Sequence, residues 1–110
     1  MKAAVLHGAG GLRYETVADP APGNNEVIVR VTACSICGSD LHGFHGKRPR
    51  LVFPRILGHE FAGEVVALGA GVAGVAVGTR VCCDIDIACG ACGPCLGRGV
   101  FSPPYLISLP

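Results

Sequence analysis

Hydrophobic and polar positions alternate most cleanly from Glu26 onward. Val27, Val29 and Val31 fall on one face of an extended segment, and Ile28, Arg30 and Thr32 on the other. That period of two is the mark of a half-buried strand. Upstream, "KAAVLH" and "LRYETVADP" read as two short strands around the turn "GAGG", and Pro20 and Pro22 flank a loop. "SDLHGF" suits one helical turn with Ser39 as its N-cap. "KRPRLVFPRILG" reads as a proline-punctuated loop, "HEFAGEVVALG" and "GTRVCCDIDI" as further strands, and the chain from Ala88 on as loop without a usable period. About six short strands, turn-rich connections and almost no helix predict a mainly β fold, a partly open barrel or sandwich.

Composition agrees with this picture. The chain has 110 residues, half of them hydrophobic, with 17 glycines, 8 prolines and no Trp. That length favours one domain, and so many turn formers suit β structure better than helix. The formal net charge of +1 offers no basic stripe for nucleic acid, and the densest basic stretch, "GKRPR", reads as a solvated loop. Four apolar residues before His7 are too few for a secretory signal. The longest uncharged stretch, 65–79, is broken by glycines and too short for a membrane span. These features predict a cytoplasmic protein. Seven cysteines, an odd number, then point to metal or free thiols rather than a disulfide framework.

One motif is a decoy. "GAGVAG", Gly69 to Gly74, matches a dinucleotide-binding pattern. That reading requires a helix directly afterwards, whose N-terminus holds the pyrophosphate. The β-branched "VAVGTRVCCDI" follows instead, so the segment is expected to be a strand-to-strand loop.

The chemistry concentrates in "CSICGSDLHGFHG" and "PRILGHEFAGEVV", which hold Cys37, Ser39, Asp40, His42, His59 and Glu60. One thiolate, imidazole nitrogens and carboxylates are the ingredients of a zinc site. Each residue alone has a plainer reading: Cys37 as core, His59 as surface, Ser39 and Asp40 as caps. Their co-occurrence in this order favours the metal. Cys34 is expected to be a packed thiol, Cys82 and Cys83 to alternate across a strand, and His7 and His45 to be surface residues.

These segments resemble the N-terminal catalytic domain of zinc-containing alcohol dehydrogenases, in the medium-chain dehydrogenase/reductase family. "CGSDLH" resembles the family's C-G-x-D-x-H, "GHEFAGEVVALGAGV" its G-H-E hallmark, and "VGTRV" its V-G-D-R-V with Thr79 in place of Asp. The resemblance covers residues 1–99 and implies a partial GroES-like open β-barrel. It implies a catalytic zinc held by Cys37 and His59 with Glu60 near the metal, a proton relay through Ser39 and His42, and Asp40 as the carboxylate that orients His59. It also implies NAD(P)-linked oxidation of a small alcohol or polyol to a carbonyl, with "CGSDLHGFHG" leaning towards the polyol and threonine dehydrogenase branch.

"CGACGPC" resembles the family's structural-zinc lobe, with Cys89, Cys92 and Cys95 as three of its four ligands. The fourth should fall eight residues after Cys95, where Pro103 stands. Residues 88–99 are therefore expected to form an incomplete lobe, and 100–110 a disordered tail foreign to the family. The expectation is a truncated dehydrogenase that binds zinc but not NAD or NADP and is inactive alone, because the family's Rossmann domain lies later in its chains. The alternative is a non-catalytic zinc-binding β-domain that self-associates. A thiol hydrolase, with Cys37 as nucleophile, His42 or His59 as base and Asp40 orienting, is a third reading.

Overall fold

The computed structural model describes residues 1–85 and Ala91. Six strands and one helix follow in the order β1 (Lys2–Leu6), β2 (Leu12–Thr16), β3 (Val27–Cys34), α1 (Gly38–Phe44), β4 (Arg55–Ile56), β5 (Phe61–Leu68) and β6 (Arg80–Cys82). They form two three-stranded sheets, β2-β1-β4 and β3-β5-β6, antiparallel throughout. The mainly β architecture with little helix matches the sequence reading. No helix among the described residues is long and apolar enough to cross a membrane.

The first sheet is a hairpin extended by a short third strand. Lys2 pairs with Thr16 and Leu6 with Leu12, and the turn closes through His7 N–H donating to the Gly11 carbonyl. Ala3, Val5 and Leu6 supply its buried positions. The proline-rich segment expected to be all loop contributes β4, where Val5 pairs with Ile56 and Leu6 with Arg55. Pro54 itself has no amide to give, but the two residues after it do.

The second sheet holds the main core. Val27, Val29, Phe61 and Val65 are buried together, with Val72, Val75, Val81 and Cys83 packed against them. The predicted alternation holds at Val27 and Val29 but fails at Val31, which is 46% exposed. Its cross-strand partner is Gly63, which offers no side chain to pack on, and the register shifts between Val31 and Ala33. Thr32 occupies that bulge, and its hydroxyl donates to the Ala62 carbonyl at 3.2 Å. Past the bulge Cys34 is exposed, not the packed thiol that was expected. Gly63 is required where it stands: a Cβ there would lie 2.3 Å from the Arg30 carbonyl oxygen of the neighbouring strand.

"GAGVAG" connects β5 to β6 without a helix. It is tied to the loop before β3 by Gly69 N–H donating to Glu26 O and Asn25 N–H donating to Ala70 O, both at 2.8 Å. The dinucleotide pattern is thus a strand-to-strand loop. β6 ends at Cys82, short of the predicted "CCDIDI" extension.

α1 begins two residues earlier than predicted. Its N-cap is Cys37, not Ser39. The deciding contact is Asp40, three residues on, whose Oδ2 accepts the Cys37 N–H at 2.9 Å. This is the carboxylate half of a capping box.

Candidate metal centre

Two element ends meet at the site. β3 stops at Cys34, and the next residue, Ser35, donates its N–H to the Glu60 carbonyl at 2.8 Å. That bond fastens the approach to α1 against the approach to β5. Gly58 then turns the chain into His59 with φ of +110°, a backbone state L-residues rarely adopt. A side chain at Gly58 would also lie 3.0 Å from the Cys34 sulfur.

The consequence is convergence. Ligand atoms of Cys37, His59 and Glu60 all lie within 4.8 Å of one another. Cys37 and His59 are half-buried and Glu60 is exposed. Asp40 serves both partly buried members. One of its oxygens holds the Cys37 amide. The other, Oδ1, faces Nδ1 of His59 at 3.6 Å, with only 12% of the Asp40 side chain exposed. A carboxylate there favours the proton on Nδ1 and leaves the Nε2 lone pair available. The Ser39 hydroxyl sits 3.4 Å from that Nε2.

The structure therefore brings together Cys37, Ser39, Asp40, His59 and Glu60. His42 is exposed in the last turn of α1, three residues after Ser39 on the same helix, and among the described residues its side chain makes no hydrogen bond. Cys89, Cys92 and Cys95, and the 100–110 tail, lie outside the described residues. His7 pairs instead with Glu15, at 2.9 Å, and His45 packs edge-on against Phe44.

Two cavities flank the trio. One, of about 310 Å³, is lined by Asp40 and His59 together with Arg48, Arg50, Arg55 and Leu51. The other, of about 410 Å³, is lined by Cys34, Cys82, Cys83 and Glu60. Burial pushes the Cys83 thiol above its ordinary pKa, and the neighbouring Asp84, Cys82 and Cys34 add to the shift. "GKRPR" is the exposed loop that the sequence reading expected; that Arg48 and Arg50 share a cavity with Arg55 was not foreseen. A signal was present: no Asp or Glu occurs between Asp40 and Glu60, so these cations have no local acidic partner.

Residues 23–102 match the family model described as alcohol dehydrogenase GroES-like domain. The sorbitol dehydrogenase of Bacillus subtilis is 43% identical over 98 residues, which make up 86% of this chain and 28% of that protein. Among solved structures, an alcohol dehydrogenase from E. coli CFT073 in complex with NADH superposes with a TM-score of 0.79 at 39% identity, covering 89% of this chain and 28% of that one. A cobalt- and zinc-bound thermostable alcohol dehydrogenase from Pyrobaculum aerophilum does so with a TM-score of 0.80 at 34% identity, covering 88% and 30%. The chain thus spans less than a third of the length of these relatives.

Proposed function

The chain belongs to the alcohol dehydrogenase GroES-like domain family, and on that premise we propose that it forms the zinc-holding part of an NAD(P)-linked alcohol or polyol dehydrogenase. The observation that carries the proposal is the convergence of Cys37, His59 and Glu60 within 4.8 Å. One thiolate, one imidazole and one carboxylate form a donor set that zinc accepts, and three protein ligands leave a position open for substrate. The carboxylate behind the imidazole is the customary support for such a ligand.

Cys37 and His59 are the proposed ligands, with Glu60 as the third group beside the metal. When bound, zinc supplies Lewis acidity that polarises an alcohol oxygen. Asp40 would hold the His59 proton on Nδ1 and so leave Nε2 free to bind a metal. Ser39, beside that nitrogen, is the proposed first acceptor of the alcohol's proton, and exposed His42 lies on the way to solvent. A nicotinamide would supply the hydride acceptor, and the resemblance assigns its binding residues to later parts of the family's chains. The 110 residues alone are accordingly proposed to show no turnover. A polyol is the favoured substrate class because the Bacillus subtilis relative is a sorbitol dehydrogenase.

Zinc per purified chain, measured by mass spectrometry, tests the assignment. Cys37→Ala and His59→Ala should each remove one equivalent, and Cys92→Ala should leave that equivalent in place. Zinc content unchanged by the first two substitutions would refute the site.

A second reading, a zinc-binding β-domain that self-associates without catalysis, draws on exposed apolar residues beside the site. Ile36 is 79% exposed and Val52 74%. A concentration-dependent shift in sedimentation, lost in Ile36→Ser, would favour it.

A further inference from the structure

The cavity of about 310 Å³ beside the proposed metal site is lined by Arg48, Arg50 and Arg55. Its size is at the lower end of the range for small-ligand pockets. Local structure gathers the arginines. Arg48-Pro49-Arg50-Leu51 is a turn closed by Leu51 N–H donating to Arg48 O at 3.0 Å, with proline at the position that suits its fixed φ. Arg55 is fixed separately, by its pairing with Leu6 in the first sheet. The loop between them rests on α1, where Leu51 and Leu57 approach within 4 Å of the space a Cβ on Gly43 would take.

The charge balance in this cavity is one-sided. Its lining holds three arginines and a single carboxylate, Asp40, which leaves a surplus of two positive charges. Asp40 is already engaged by His59 and the Cys37 amide. Among the described residues the ion pairs are Met1–Asp19, His7–Glu15, Arg30–Glu64 and His59–Asp40, so none of the three arginines has a carboxylate partner. Guanidinium groups recognise planar and tetrahedral oxyanions through paired N–H donors. A phosphate monoester carries about −1.5 to −2 charge and three acceptor oxygens at neutral pH, which matches both the surplus and the number of arginines.

We propose that Arg48, Arg50 and Arg55 form a phosphate subsite next to the metal centre, and that the substrate is a phosphorylated alcohol or polyol. This deepens the reading above and rests on it for the hydroxyl-bearing end of the substrate. The phosphate-binding end stands on the arginines alone.

Calorimetric titration of the zinc-loaded chain with glycerol 3-phosphate, glycerol, glycerate and ADP tests the proposal at low ionic strength. Saturable binding of glycerol 3-phosphate is expected, with none of glycerol. Affinity should fall about tenfold in each of Arg48→Ala, Arg50→Ala and Arg55→Ala, in keeping with loss of a charge-assisted hydrogen bond, and recover in part in Arg50→Lys. Zinc content should be unchanged in all of them. Absent binding, or binding indifferent to the three substitutions, overturns the subsite. Tighter binding of glycerate reassigns it to carboxylates, and tighter binding of ADP to a dinucleotide; either result overturns the proposal. Failure of the zinc site itself would appear separately, as Cys37→Ala retaining its metal.

Discussion

Two trios of metal-competent side chains lie close to the start of β5, and only one of them converges. Cys37, His59 and Glu60 bring their ligand atoms within 4.8 Å. Cys34, Cys82 and Cys83 line a common cavity, but they do not form a close ligand group among the described residues. The cause is where each trio sits on the backbone. Cys34 pairs with Phe61 on one edge of β5, and Cys82 with Ala62 on the other. Neighbouring strands are spaced about 4.8 Å apart, so β5 holds β3 and β6 about 10 Å from each other. Cys37 and His59 lie beyond strand ends, one on a helix cap and one after a positive-φ glycine. Regular pairing fixes distances between side chains, whereas element ends leave them free to be brought together.

The largest change expected is Gly63→Val, which abolishes the contrast by breaking the β3–β5 ladder that both trios depend on. With a Cβ 2.3 Å from the Arg30 carbonyl oxygen, the loss should exceed about 4 kcal/mol, read as the disappearance of a cooperative urea transition. Next comes His59→Ala, set against the triple variant Cys34→Ser, Cys82→Ser, Cys83→Ser. The first should bring zinc at the proposed site to background, and the second should leave it at the wild-type level. Loss of metal in the triple variant alone would reverse the assignment of the two trios.

A finer test is Asp40→Asn. It keeps the shape of the side chain but weakens the pull on the His59 Nδ1 proton, and zinc affinity should fall about 10–100-fold. Competition with a chromophoric chelator reads this directly. The smallest effect concerns Cys83, whose thiol pKa lies above its ordinary value of 9.0, chiefly through burial. Iodoacetamide should label it more slowly than exposed Cys34 at pH 8 to 9. A thiol whose pKa is raised by folding stabilises the fold below its unfolded pKa, and that contribution is lost as pH rises through the folded value. The urea midpoint should therefore fall as pH climbs past about 9, and less so in Cys83→Ser.

Much of this was legible in the chain before any coordinates. The alternation through Val27 and Val29 identified β3 as a half-buried strand, and "GHEFAG" carries its own physical explanation: Gly58 supplies the positive φ, and Gly63 the close strand approach. The order of the motifs pointed to a metal, and the family resemblance paired Cys37 with His59. What failed were the local details set by neighbours distant in sequence. Val31 lost its burial because its cross-strand partner is a glycine. Cys34 was exposed past a bulge at Thr32 that no periodicity announces. The N-cap moved to Cys37 because Asp40 reached back to it. The arginine cavity depended on a two-residue strand and a proline turn, each too short to leave a repeating pattern.

Asp40 joins two things usually treated apart: with one oxygen it closes the first turn of a seven-residue helix, and with the other it faces the imidazole. A helix so short has little cohesion of its own, so warming should fray it from that end first. When it does, the imidazole loses its orienting partner in the same event. Grip on a bound ion should then slacken well below the temperature at which the sheets melt, so that warming begins with an early, reversible release of metal.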